Sequence, residues 1–530
     1  IRTNFFCFGK GRNKSFSDKI IETIKKGKKI ELFYDVKYTP ISVKYLSYII
    51  EKSFKKKISG IFNISSENTI SKYSFGISIA ETFNLDKNLI IPINIRDKNL
   101  TARPLNMSLD GKLISKKLNV NQMNTNKMIG ELKNDFENKN NLIPYGRHTI
   151  NNEDINEVVR TLRSGHLTQG PKINELEDKI KNYVGCKYAV AVSSCTAGMH
   201  IALKALDLKK KKVILPPITF VSTANTILMN NLVPKFIDID PKTANIDISR
   251  ILKEVKSKND IGAIMPVHFA GNPCDLKKIQ ILRKNGIKIV EDSAHALGSR
   301  YKCGSKIGSC KYSDISIFSL HPVKTIAAGE GGIVTTNDFN LYKSLLRLRS
   351  HGINKSDDKF LVKKNAYTNK KINPWYYEMQ QLGYHYRLTD IQSTLAVSQL
   401  KRINLFLKKR QEITKAYNKA FRAIKYIKIL NEDLNHLSSN HLYILRIDFK
   451  NLKVSRQKLM TQLKRKGIIT QVHYIPVTLH PYYLKKGYSI KNTPNASLYY
   501  NEALSIPIYY DLTIEQQKYI INSLKKLLKI

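Results

Sequence analysis

The stretch DISIFSLHPVKTIAAGEGG, residues 314–332, decides the reading of this chain. Its first six residues, 314–319, form a short run with β-branched Ile315 and Ile317 at alternate positions, which predicts a buried strand. A lysine, Lys324, follows five residues after Ser319, and glycines 329, 331 and 332 come next. A lysine can be a solvated surface charge anywhere in so basic a chain. One held in a partly apolar site at a strand end loses its proton more readily and becomes a nucleophile. The glycines leave room for close approach by backbone or by a flat ligand.

Working outward, six more strands are expected at 188–193, 212–215, 234–239, 262–267, 287–291 and 332–336. Helical patterns at 197–206 and 275–285 lie between some of them, as crossover units require. The fold class is α/β: a large, mixed seven-stranded sheet followed by a smaller C-terminal α/β domain. That smaller domain is expected to hold a long helix over 387–421, strands at 441–448 and 468–474, and an amphipathic helix over 513–529. Domain bounds are placed at 143–400 and 401–530. Residues 1–118 form a separate α/β piece, and the polar stretch 119–142 is expected to be a linker with one short helix.

Ligands gather beyond the carboxyl ends of strands in such sheets. Ser194-Cys195-Thr196-Ala197 ends one strand and opens a helix, where free backbone N–H groups can meet a phosphate or serve only as a plain cap. Phe220 follows the next strand and can stack on a flat ring or simply join the core. Asp292 and His295 follow the strand at 287–291; a carboxylate there needs a partner, such as a helix N-terminus, an arginine or a protonated pyridine nitrogen. Ser319 and Lys324 complete the set. Together these residues supply what one pyridoxal phosphate molecule needs: two phosphate grips, a ring stack, a pyridinium partner and an amine.

The net charge is +47. Nucleic acid or an anionic membrane could explain it. Lysine is accompanied by abundant Ile and Asn and is spread along the chain, which suits biased codon usage better. No specific nucleic-acid partner and no membrane insertion are expected, because no apolar run is long enough to span a bilayer. Six cysteines without C-x-x-C pairs predict free thiols, a reducing cytoplasm and no structural metal.

The strings IPYGRHTI, SGHLTQGP, PVHFAGNPCD, SDISIFSLHPVKT, PWYYEMQQLGYHYRLTD and VHYIPV make residues 143–530 resemble the fold-type I, PLP-dependent sugar-nucleotide aminotransferases. The closest likeness is to the branch that serves pseudaminic acid synthesis. The resemblance implies a homodimer with shared active sites. It also implies transamination at C4 of a UDP-linked 4-keto-6-deoxy-N-acetylamino sugar, with L-glutamate as amino donor. A transaminase for another 4-keto sugar nucleotide, of the perosamine or 4-amino-arabinose type, and an inactive PLP-binding paralogue stay open.

Roles follow from the resemblance residue by residue. Lys324 carries the cofactor as a Schiff base and moves the proton. Asp292 pairs with the pyridine nitrogen, Phe220 stacks on the ring, and His295 lies near the ring oxygen. Thr196, Ala197 and Ser319 hold the phosphate. Tyr145, the loop Gly165, His166, Leu167, Thr168 and the segment Gln471, Val472, His473, Tyr474 contact the sugar nucleotide. His385 stands where the family carries Asn, a residue that reaches the phosphate across the dimer.

Residues 1–118 resemble the C-terminal, substrate-covering half of reductases of the dTDP-4-dehydrorhamnose reductase type, through RTNFFCFG, YTPISVKYLSYII, GIFNISSENTISKYSFG and RPLNMSLD. The nucleotide-binding half is expected to precede Ile1, and no hydride transfer is expected from this piece.

Overall fold

The computed structural model describes residues 1–7, 15–98, 104–140, 142–355, 360–430 and 437–530. Phe8, Gly9 and Arg103 of the quoted strings, and Asn141 of the expected linker, lie outside the described residues. The chain divides into two units, Ile1–Leu142 and Ile143–Ile530.

The second unit is built on one seven-stranded sheet. Its strands are β1 (Tyr188–Val192), β2 (Lys212–Leu215), β3 (Val233–Phe236), β4 (Ile261–Ile264), β5 (Lys288–Asp292), β6 (Ile315–Ser319) and β7 (Gly332–Thr336). They lie in the order β3-β2-β4-β5-β6-β7-β1. All neighbours are parallel except β7, which runs antiparallel to both β6 and β1. All seven expected strands form, and the sheet is mixed as expected.

Side chains of successive strand residues alternate between two cores. Ile315 and Ile317 of β6, with Val190 and Val192 of β1, enter one core. Phe318, with Ala189 and Ala191 of β1, enters the other. β6 is buried at every position. Burying a side chain such as Phe318 contributes roughly 1.5–3 kcal/mol. With apolar cover on both faces, polar groups are displaced to the strand ends.

Gly332 opens β7 against the turn after β1. A Cβ there would sit 2.7 Å from the backbone of Ser194 and Cys195. Only glycine lets β7 start so close to the helix Cys195–Ala205.

The smaller C-terminal layer has an antiparallel sheet of Ile427–Ile429, Tyr443–Ile447 and Ala503–Ile506. The helix Ile514–Leu528 covers it, started by a Thr513–Gln516 capping box. Three expectations differ here and in the sheet connections. The long helix over 387–421 is two helices, Asp390–Lys401 and Ile403–Phe421, parted at Arg402, whose guanidinium pairs with Asp154 and lies over Phe406. The helix over 275–285 is two tight 3₁₀ turns ended by Gly286 in the left-handed region. The strand over 468–474 is extended chain held by single bridges, Ile143 to Ile468 and Gln471 to Ser505.

The first unit gathers short strands and helices around Ile20, Ile41, Phe75 and Ile79. The stretch expected as a linker carries the helix Thr125–Asn140, which sets Met128, Ile129 and Leu132 into this core. Its polar composition hid those three apolar residues, which share one helical face.

Gly332→Ala forces the backbone of β7 away from Ser194 and Cys195. It is expected to cost about 1–3 kcal/mol, read as a lower denaturant midpoint at unchanged slope.

Candidate active site

Four strand ends open into one cavity of about 780 Å³. At the end of β1, Ser194 caps the helix Cys195–Ala205, and its Oγ accepts from the Ala197 N–H at 3.0 Å. The Ala197 amide is thereby engaged and its side chain is buried behind the cavity wall. Cys195 and Thr196, in the first turn, line the cavity, and their N–H groups have no acceptor within the helix.

After β2, Phe220 is 58% exposed and faces the cavity. An aromatic ring left this open has apolar surface to offer a ligand. The helix Val221–Met229 starts there and brings Thr223 under β5.

Asp292 ends β5 and is buried. Its Oδ2 accepts from the Thr223 hydroxyl at 2.7 Å, and its Oδ1 from the Ala294 N–H at 3.1 Å. A carboxylate only accepts, so the Thr223 proton points to Asp292 and the Thr219 hydroxyl, 2.7 Å from Thr223, donates in turn. Burial raises the Asp292 carboxyl above its ordinary range, opposed by Thr223, Ala294 and the Lys324 charge.

Ser319 ends β6, and Lys324 follows a turn closed by its N–H to the His321 carbonyl at 2.9 Å. Both line the cavity. Burial lowers the Lys324 amine to about 8, while Cys195 and Asp292 pull it upward.

The facing wall comes from the C-terminal layer. Gln471, Val472, His473 and Tyr474 line the cavity, as do His441 and Tyr145. The Ala270 N–H donates to His295 Nδ1 at 3.3 Å. The His295 proton therefore sits on Nε2 and donates to the Tyr474 hydroxyl 3.1 Å away, leaving that phenol proton for another acceptor. Burial and the Lys324 charge push His295 well below its ordinary range and His473 down to about 3. Burial raises the Tyr474 phenol. These groups are neutral near pH 7.

Of the residues singled out in the sequence, Tyr145, Thr196, Phe220, Asp292, His295, Ser319 and Lys324 line this cavity together with Gln471–Tyr474. Ala197 lies behind it. Gly165, His166, Leu167 and Thr168 lie outside its lining; Thr168 bridges to Thr389, and the Leu167 carbonyl accepts from the Asp390 N–H. His385 is outside it too, bridged to Ser350, with its ring stacked 5.3 Å from that of His351. Sequence reading missed Thr223 and His441. Thr219 and Thr223 share a spacing of four that marks the hydroxyl pair. His441, whose ring lies 4.5 Å from His295, carries no local signal.

Residues 148–525 match the DegT/DnrJ/EryC1/StrS aminotransferase family, and residues 1–161 match the RmlD substrate binding domain. The chain is 38% identical to the spore coat polysaccharide biosynthesis protein SpsC of Bacillus subtilis, over 74% of this chain and 98% of that protein. It is 36% identical to a UDP-4-amino-4,6-dideoxy-N-acetyl-beta-L-altrosamine transaminase of Campylobacter jejuni, over 73% and 98%. Among solved structures, the PLP form of a putative sugar aminotransferase, Spr1654 of Streptococcus pneumoniae, superposes with a TM-score of 0.65 at 30% identity, covering 73% of this chain and 99% of that one.

A lysine titrating near 8 is reactive where surface lysines are still protonated. Competitive acetylation read by peptide mass spectrometry is expected to show Lys324 labelling rise with a midpoint near pH 8. Labelling that rises only alongside the surface lysines, about two pH units higher, contradicts the lowered value.

Proposed function

The chain belongs to the DegT/DnrJ/EryC1/StrS aminotransferase family, and from that premise we propose that its cavity carries pyridoxal phosphate on Lys324. There it moves an amino group from L-glutamate to C4 of a UDP-linked 4-keto-6-deoxy-N-acetylamino sugar. The observation that carries this reading is the convergence of Lys324, Asp292, Phe220 and the first turn of the helix Cys195–Ala205 on one cavity.

The donor set fits the cofactor. A buried carboxylate, already held by Thr223 and Ala294, suits a protonated ring nitrogen. The open face of Phe220 suits a flat ring. The first-turn amides of Cys195 and Thr196, with the Ser319 hydroxyl, suit a phosphate. When bound, pyridoxal phosphate supplies an electron sink that makes the neighbouring carbon–hydrogen bond acidic.

The chain's own groups do the rest. Asp292 keeps a proton on the ring nitrogen. Lys324, with its amine near 8, can release and retake a proton at the sugar carbon close to neutral pH. His295 fixes Tyr474 so that the phenol can donate to an oxygen of the ligand.

The sugar is inferred from the name of the Campylobacter jejuni relative and from the shared strings. The Gln471–Tyr474 segment and Tyr145, which line the cavity, would contact it, and the basic surface favours a diphosphate ligand. The apolar side chains Leu361, Trp375, Met379 and Leu382 are all more than 60% exposed within one segment. That exposure supports a homodimer, with His385 and the 165–168 loop serving the partner's site. Six unpaired thiols support a reducing cytoplasm.

Borohydride reduction of the yellow, cofactor-loaded protein is expected to place a covalent label on Lys324. Lys324→Ala should lose both the visible absorbance and all transamination; a retained band rejects the assignment. A panel of 4-keto sugar nucleotides should show the UDP-linked N-acetylamino sugar preferred over perosamine- and arabinose-type substrates. Light scattering should give twice the 60.7 kDa chain mass. Trp375→Ser with Leu382→Ser is expected to shift the mass to one chain.

A further inference from the structure

The transaminase reading uses none of the first unit, and it leaves most of the charge unexplained. The charge lies scattered in the sequence, yet the fold gathers some of it. The helix Val43–Lys55 ends in the run Lys55, Lys56, Lys57, and a turn leads through Gly60 to Ile61. The short helix Lys112–Leu118 adds Lys112, Lys116 and Lys117. Two contacts join the segments. Lys56 Nζ donates to the carbonyls of Lys117 and Leu118, and Lys117 lies over the Phe62 ring at 4.9 Å.

Three large apolar side chains stand open on the same two segments. Phe54 is 79% exposed, Ile61 75% and Leu113 60%. Phe54 has the highest exposure of the large apolar side chains among the described residues. Leu113 lies three and four positions before Lys116 and Lys117, so the three share one helix face. The flanking acids are Glu51, held by Lys55 at 2.5 Å, and Asp110. Open apolar side chains beside lysines on adjoining segments are the composition that enters a lipid interface: ammonium groups meet anionic headgroups while the apolar tips pass below them.

We propose that this tip, Phe54, Ile61 and Leu113 with their six lysines, docks the chain on an anionic lipid surface. A second copy of the chain is a poor occupant, because it would set these same six lysines against one another. Nucleic acid is a poor occupant too. Two of the three apolar residues are aliphatic and give a base nothing to stack on, and the six cations are all lysine, without the planar guanidinium that pairs with base edges and phosphates. The docking is peripheral, since among the described residues no helix is long and apolar enough to cross a membrane.

The test is vesicle flotation of the full chain, with its transaminase activity assayed in parallel. Vesicles of phosphatidylglycerol mixed with phosphatidylcholine should carry the protein, and phosphatidylcholine alone should not. Phe54→Ser with Ile61→Ser should weaken binding at least tenfold while activity is kept. Neutralising Lys55, Lys56 and Lys57 with glutamine should do the same, whereas neutralising Lys209, Lys210 and Lys211 in the second unit should not. Three results overturn the proposal. The first is no binding to the anionic vesicles. The second is binding indifferent to the Phe54 and Ile61 changes, which marks nonspecific attraction of a basic chain. The third is capture by polyglutamate or RNA in preference to the vesicles.

Discussion

Everything in the second unit hangs on the pairing of β6 with a parallel neighbour on one side and an antiparallel one on the other. The parallel pairing with β5 brings the ends of the two strands level, so Asp292, Ser319 and the turn to Lys324 face the same space. The antiparallel pairing returns β7 from that edge and closes the sheet against β1. This return demands Gly332, because the chain must leave the site past the very turn that starts the helix Cys195–Ala205. The sheet is a device for delivering four polar strand ends to one place.

Much of this was legible. Each strand is a short β-branched run between turn signals, and buried strands of a parallel sheet leave that mark on composition. Lys324, Asp292 and Phe220 were legible as strand-end residues of the wrong polarity or the wrong exposure for a core. What the sequence could not reveal is geometry between distant segments. His441 reaches the cavity from the far layer, more than a hundred residues after Lys324. Thr223 matters because the start of a helix sets its hydroxyl under a carboxylate on another strand. Ala197 looked like part of a phosphate grip, but its amide is already committed to Ser194.

The departure over 387–421 has a clear origin. Periodicity reads through a break when both sides are apolar at helical spacing, as at Arg402, where a buried ion pair with Asp154 parts two helices. The stretch 119–142 carries the one helix expected there, and that helix packs on the core of the first unit. Asn and Lys dominate residues 119–142, but three apolar side chains on one face suffice to hold a helix to a core.

The hydrogen bonds and burial around Lys324 have a consequence for the protons of the site. His295, His441 and His473 are held below their ordinary range, while Cys195 and Tyr474 are held above theirs. Those five groups therefore keep their charge across the neutral range, while burial brings the Lys324 amine down to about 8. These neighbours behave as an insulator around the amine. A change in the acidity of the surroundings reaches Lys324 without these five groups taking up or releasing protons beside it.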